Sequence, residues 1–176
     1  YKRMAAELTE LTSYGQYAAE RLIRTETAYL IEESDKAAAI DRGTKVRIFR
    51  ATLDLKTSKI CQEHDGDRVP IEKSVPGKNV PPLHPHCRSW MEEEIEGYEH
   101  RSRAARDPVT GERVMVPAEM KYADWYDKYV KNNPEAMAKE KALKSYQLVK
   151  KQYQEYENIL GDKKELDINA LKKVGP

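Results

Sequence analysis

Two strings decide the fold: ATLDLKTSKICQEHDGDRV over residues 51–69 and PGKNVPPLHPHCRS over residues 76–89. Helix-like sequence lies on both sides of them, whereas residues 54–89 are rich in the proline and glycine of turns. A span this long with so little periodicity is unusual inside a compact domain, and such spans are usually functional or held by something other than apolar packing. We therefore expect a clamp within this loop.

The two strings contain two pairs of metal-ligating residues, Cys61-x-x-His64 and His84-x-x-Cys87. Such pairs can present sulfur and nitrogen atoms to one tetrahedral ion, and Zn²⁺ is the usual occupant. The pattern predicts a structural zinc site made by all four residues, with His86 as a competing ligand. The alternative is two buried thiols with two hydrogen-bonded histidines. A disulfide between the cysteines is disfavoured in a reducing compartment.

The sequence before the loop predicts helix and then strand. Residues 2–41 contain no proline and are rich in Ala, Glu, Leu and Arg, which indicates one or two helices ending at Gly43. The alternating segment 44–52 predicts a half-buried strand with Val46 and Ile48 on one face.

After the loop, residues 90–96 and 113–116 predict short strands, and helices are expected after Pro117 and after Pro134. The last helix has a stripe of apolar and tyrosine residues at spacings of three or four, which packs on the domain or forms an interface. Its members are Leu143, Tyr146, Val149, Tyr153, Tyr156 and Leu160.

The predicted fold class is α+β, in three parts. Residues 1–43 form long N-terminal helices, residues 44–96 form a small irregular β unit around the Cys/His loop, and residues 97–176 form a linker with a C-terminal helical pair.

Composition narrows the function class. The 176 residues include 31 Lys and Arg against 30 Asp and Glu, a formal net charge of +1, which argues against a uniformly basic nucleic-acid module. A local basic group remains, in which Lys45, Arg47 and Arg50 are candidate DNA contacts. No apolar run approaches the roughly 20 residues of a membrane helix. Because helix-like sequence starts at once after Tyr1, we expect a piece of a longer polypeptide.

The sequence contains no P-loop, G-x-G-x-x-G, G-x-S-x-G or H-E-x-x-H motif. Cys61 and His84 could act as nucleophile and base, but the pattern offers neither an orienting third group nor an oxyanion device. We therefore expect no enzymatic activity.

The string RLIRTETAYLIEES over residues 21–34, followed by the two strings above, resembles the phage Mu F-like minor head proteins, the phage head morphogenesis family of tailed bacteriophages and prophages. The resemblance covers about residues 16–95. Some members have Cys-x-x-Cys in the first half-motif, where this chain has Ser58, so that His64 would replace the missing ligand. The family's motif positions fall on Arg24, Thr25, Glu26, Thr27, Asp54, Thr57, Cys61, Asp65, Gly66, His84, Cys87 and Arg88.

The resemblance implies a low-copy internal head protein that associates with the portal and other head proteins, and in some relatives contacts DNA. It implies a place inside the virion head, or in the host cytoplasm during assembly, and no membrane partner. Two alternatives remain open. One is a toxin- or effector-type enzyme fragment carried by a head protein. The other is a plain DNA-binding module, whose DNA affinity would depend strongly on salt.

Overall fold

The computed structural model describes residues 1–12, 15–97 and 101–160, with side chains to residue 152. It confirms the α+β class. None of the described helices combines the length and the apolarity that crossing a lipid bilayer requires. The elements are α1 (Lys2–Leu11), α2 (Gln16–Asp41), β1 (Val46–Arg50), α3 (Lys59–His64), β2 (Arg68–Pro70), β3 (Trp90–Glu93), β4 (Ser102–Arg106), β5 (Arg113–Pro117), α4 (Tyr122–Tyr129) and α5 (Pro134–Leu160).

The strands form two small antiparallel sheets. β1 is the central strand of the first, between β2 and β3, and its Arg47 lies opposite Val69 on one side and Glu93 on the other. β4 pairs with β5 in the second sheet, and a parallel bridge from Leu53 to Ala105 connects it to the chain after β1. The sequence predicted β3 and β5, whereas the segment containing β4 showed no clear period.

β1 turns the opposite face inward from the one predicted. Arg47 is 1% exposed and Phe49 is fully buried, whereas Val46 and Ile48 are only half-buried. Burial of Arg47 is tolerated because its Nη2 donates to Oε1 of Glu32 on α2 at 2.5 Å. Side chains alternate between the two faces of a strand, so the apolar Val46 and Ile48 predicted that their face would be buried. This prediction was wrong because the sequence pattern does not show that the carboxylate of Glu32 pairs with Arg47 on the other face.

The helix α2 packs through small side chains and leaves long apolar ones in solvent. Ala19, Glu32 and Ala39 are its buried members, and α1 packs against it. The long apolar side chains that remain exposed on α2 are Tyr17, Leu22, Tyr29, Leu30, Ile31 and Ile40.

The larger hydrophobic core joins the chain after β1 to the C-terminal half. Packing therefore continues across the expected boundary at residue 97. The core consists of Leu53, Ala105, Val116, Tyr122, Trp125, Val130 and Ala136. A smaller cluster of Phe49, Ala51 and Cys61 lies beneath the Cys/His loop.

The stripe on α5 is not buried along its described part. Tyr146 is 53% exposed, and Leu143 and Val149 are half-buried. Of the two interpretations left open, packing on the domain therefore holds only in part for these residues. The side chains of Tyr153, Tyr156 and Leu160 lie outside the described residues.

Asp65 connects the two halves of the chain. Its carboxylate accepts from the amide of Ala51 at 2.7 Å, the amide of Tyr122 at 2.7 Å, and both terminal nitrogens of Arg103 at 3.1 Å. The next residue, Gly66, has a φ of +90°, and a Cβ there would lie 2.7 Å from Cε of Lys121. Glycine at this position therefore allows the turn, whereas the flexible side chain of Lys121 could move away from an added Cβ.

We expect Asp65→Ala to lower the free energy of unfolding by about 3–5 kcal/mol, because the buried guanidinium of Arg103 would lose its counter-charge. Urea denaturation followed by circular dichroism measures this. The matched control is Asp67→Ala, two residues away, where an exposed carboxylate is removed and the expected loss is below about 1 kcal/mol. Equal losses in the two variants would contradict the role given to Asp65.

Candidate metal centre

The first half of the site is built on α3. Ser58 is the N-cap of this short helix, and its Oγ accepts the amide of Cys61 at 3.4 Å. The cap fixes where the first turn begins, and that turn presents Cys61, which is 1% exposed.

The second half is a tight turn through residues 84–87. The amide of Cys87 donates to the carbonyl of His84 at 3.1 Å, so that both side chains reach the same site. His86, between them, has a φ of +59°, a left-handed conformation that histidine adopts more readily than most residues. This backbone turn carries the chain around without placing the His86 ring at the site.

Cys61, His84 and Cys87 form one group, in which one donor atom from each lies within 4.8 Å of the others. The two Sγ atoms are 3.6 Å apart, and Sγ of Cys61 lies 3.2 Å from Nε2 of His84. Tetrahedral bonds of about 2.3 Å to sulfur and 2.0 Å to nitrogen place such atoms roughly 3.5–3.8 Å apart. These two distances lie within a few tenths of an ångström of the zinc values, and the three donors together are close enough to bind one ion.

Hydrogen bonds prepare these donors for a metal. Nδ1 of His84 donates to the carbonyl of Pro85 at 2.8 Å, which leaves Nε2 facing the two sulfurs. The pKa of Cys87 is lowered, first by the hydrogen bond with Cys61, and that of Cys61 is raised by the same contact. The lowered pKa of Cys87 favours the thiolate, which is the form that binds metals. Its hydrogen bond also raises the pKa of His84.

The predicted ligand His64 lies outside this group. Its Nδ1 is 2.8 Å from a carboxylate oxygen of Asp67, and its ring packs on Phe49 with the ring centroids 5.6 Å apart. Three residues along a helix leave side chains rotated by about 60°, so that His64 faces β1 while Cys61 faces the loop. The competing ligand His86 is also outside the group, with its ring 6.0 Å from that of Tyr17.

The side chain of Ser58, and not that of His64, lies next to the Cys/His group. Its Oγ lies 2.7 Å from Nε2 of His84. The resemblance gives some members a cysteine at this position, and the structure shows that a side chain there borders the three donors. A serine hydroxyl, however, is not among the usual zinc ligands.

An ion pair closes the loop beside the cysteines. Arg88 donates to both carboxylate oxygens of Asp54, at 2.5 and 2.8 Å, and Oγ1 of Thr57 donates to the same carboxylate at 3.0 Å. Burial tends to raise the pKa of Asp54, but the contacts with Arg88 outweigh it and the net shift is downward. These three motif residues therefore join the two half-motifs independently of any metal.

The motif on α2 has a different role. Arg24 pairs with Glu20 at 3.2 Å, and Oγ1 of Thr25 accepts the amide of His86 at 3.4 Å. Thr25 thus connects α2 to the turn that carries the second pair of donors. Glu26 is exposed and Thr27 is half-buried.

The three candidate DNA contacts do not form one surface. Arg47 is buried against Glu32, and Arg50 is paired with Glu92 and largely buried. Only Lys45 of the three is exposed. The strand period alone could not show this, because the acidic partners are distant in sequence.

Asp65 and Arg103 are the residues whose importance sequence reasoning underestimated. The sequence indicates Asp65 only as a motif position, and Arg103 lies in a charged segment without a clear hydrophobic period. The Asp-Gly pair at residues 65–66 was the one available signal, since it marks a turn where a carboxylate meets the backbone.

The comparison with known families identifies one match. A family model described as phage Mu protein F like protein matches residues 1–92. The match includes α1, which lies before the region covered by the resemblance in the sequence. No curated protein and no solved structure matches the chain at a significant level.

We expect the purified protein to hold one Zn²⁺ per chain, and Cys61→Ser or His84→Ala to lose it, with a fall in melting temperature on the order of 10 °C. Mass-spectrometric metal analysis and thermal melting measure both effects. The control is His64→Ala, which removes a histidine from the same helix and should keep the metal. Wild-type protein that is free of metal after purification under reducing conditions would refute the site.

We expect Ser58→Cys to bind Zn²⁺ more tightly than the wild type, because it places a third thiolate beside His84. Competition with a chromophoric chelator measures the affinity. His64→Cys adds a thiol on the same helix but outside the group, and it should leave the affinity unchanged. Equal gains in both variants would show that any added thiol is sufficient.

Proposed function

Because the chain belongs to the phage Mu protein F like family, we propose that it is a minor head protein that associates with the portal during assembly of the phage head. The family match over residues 1–92 is the observation that carries this proposal. Membership places the chain among phage head morphogenesis proteins, whose partners are other head proteins and whose location is the virion or its assembly intermediates. Contact with the portal is our proposal and goes beyond what membership of the family implies.

The contacts of the motif residues support an architectural role. Asp54 and Arg88 bind each other, Asp65 binds Arg103, and Cys61 lies against His84. These contacts hold two distant segments and the C-terminal half in one arrangement. We propose that Zn²⁺ bound by Cys61, His84 and Cys87 adds to this rigidity in a structural capacity.

A stripe on α2 supplies a surface for the partner. Leu22, Tyr29 and Ile40 are 46%, 42% and 53% exposed. At 100° per residue these three positions differ by about 20° around the helix, so that they form one line along it. Exposed apolar side chains in such a line are typical of a protein interface. We propose that this α2 stripe contacts the portal.

Contact with DNA through Lys45, Arg47 and Arg50 has less structural support than contact with a protein partner. Two of the three basic residues on and before β1 are paired with glutamates, which leaves Lys45 alone to meet phosphates. A uniform DNA-binding surface along this strand is therefore not what the structure favours.

Co-expression with the portal protein of its own phage tests the proposal. We expect the two to copurify, and Leu22→Glu with Ile40→Glu to weaken the association roughly tenfold or more while thermal stability changes little. Met115→Glu is the control, since it changes an equally exposed apolar residue, 55% accessible, on β5. A wild-type chain that associates with neither portal nor procapsid would contradict the proposal.

A further inference from the structure

A cleft of about 470 Å³ opens beside the Cys/His group, between α2 and the turn at residues 84–88. This volume is in the range of small-ligand sites. Three cations and two imidazoles line it, and no carboxylate is among its described lining residues. We call it the basic cleft, defined by Arg24, Lys56, His84, His86 and Arg88.

Its cations differ in how they are held. Arg88 pairs with Asp54, and Arg24 pairs with Glu20. These carboxylates orient the two guanidinium groups but do not themselves line the cleft. The side chain of Lys56 is exposed and makes no ion pair within the described part of the chain. The cleft thus combines two oriented guanidinium groups with an ammonium group that is available to a ligand.

Cations from three segments converge on the cleft. Arg24 comes from α2, Lys56 follows Asp54 in the first half-motif, and Arg88 ends the second. The contact between Thr25 and the amide of His86 fixes α2 against the left-handed turn that forms one wall. His84 and Cys87 line the cleft where it meets the Cys/His group, and a bound Zn²⁺ would balance the thiolate charge there.

We propose that the basic cleft binds a phosphate group. Oriented guanidinium groups beside a free ammonium group match the several acceptor oxygens of a phosphate, and charge-assisted hydrogen bonds of this kind are the stronger ones in proteins. The phosphate can come from a nucleic-acid backbone or from free inorganic phosphate. The cleft chemistry is the same for both sources. The proposal does not depend on association with the portal.

The test uses two probes, inorganic phosphate and a duplex DNA oligonucleotide, with protein kept reduced. Amide shifts in two-dimensional NMR spectra report binding at residues 25, 56 and 86, and titration gives the affinity. We expect Lys56→Gln and Arg24→Gln to weaken binding by roughly tenfold each, the effect of losing one charge-assisted hydrogen bond. Lys45→Gln is the matched control, because it removes one exposed cation outside the cleft, and it should change the affinity less than about twofold.

Each outcome decides the proposal. Binding of both probes that Lys56→Gln weakens supports a cleft that takes nucleic-acid phosphates, and binding of inorganic phosphate alone supports one that takes free phosphate. Binding that Lys45→Gln weakens as much as Lys56→Gln would overturn the proposal, as would no amide shift with either probe. Lys56 is exposed and makes no ion pair with any residue that the structure describes, so its variant is expected to fold even where Arg24→Gln does not.

Discussion

The carboxylate of Asp65 is the constraint on which the rest of the structure depends. It is fully buried and accepts four hydrogen bonds, from the backbone after β1, from Arg103 on β4, and from the start of α4. A buried charge of this kind is tolerated only when each of its oxygens is satisfied. Because the donors come from three separate segments, the positions of all three are fixed together. The second sheet and α4 therefore belong to the same packed unit as the Cys/His loop, although the family match ends at residue 92.

Two further ion pairs hold the same packed unit together. Glu32 on α2 pairs with the buried Arg47 of β1, and Asp54 pairs with Arg88 across the loop. The Asp54–Arg88 pair joins the two half-motifs that supply the three donors, so the donors are positioned by contacts that do not require a metal. This explains how a span with five prolines after a short helix can present Cys61 and His84 within 3.2 Å of each other. A metal ion would then strengthen an arrangement that the charges have already defined.

The same organisation separates the interior from the surfaces proposed for partners. The motif carboxylates of Asp54 and Asp65 form ion pairs outside the basic cleft. The described residues that line the cleft therefore include cations and no carboxylate. On α2, packing through Ala19 and Ala39 brings the helix close to the rest of the protein while its long apolar side chains stay in solvent. An apolar stripe and a basic cleft on one helix suit a protein that holds a protein partner and a phosphate at different places. This follows from small residues facing inward, which is the reverse of an ordinary amphipathic helix.

The α+β class, most helices and strands, the family, and the two half-motifs that supply Cys61, His84 and Cys87 could be predicted from the amino-acid sequence. These features are local, since capping, proline, alternation and motif spacing act within a few residues of one another. Three features emerge only when the chain is folded: His64 faces Phe49 instead of the metal-ligating group, Arg47 is buried in place of its apolar neighbours, and Asp65 meets Arg103. Each of these depends on a partner at least 15 residues away, and the pairing of opposite charges across such distances leaves no periodic trace in the sequence.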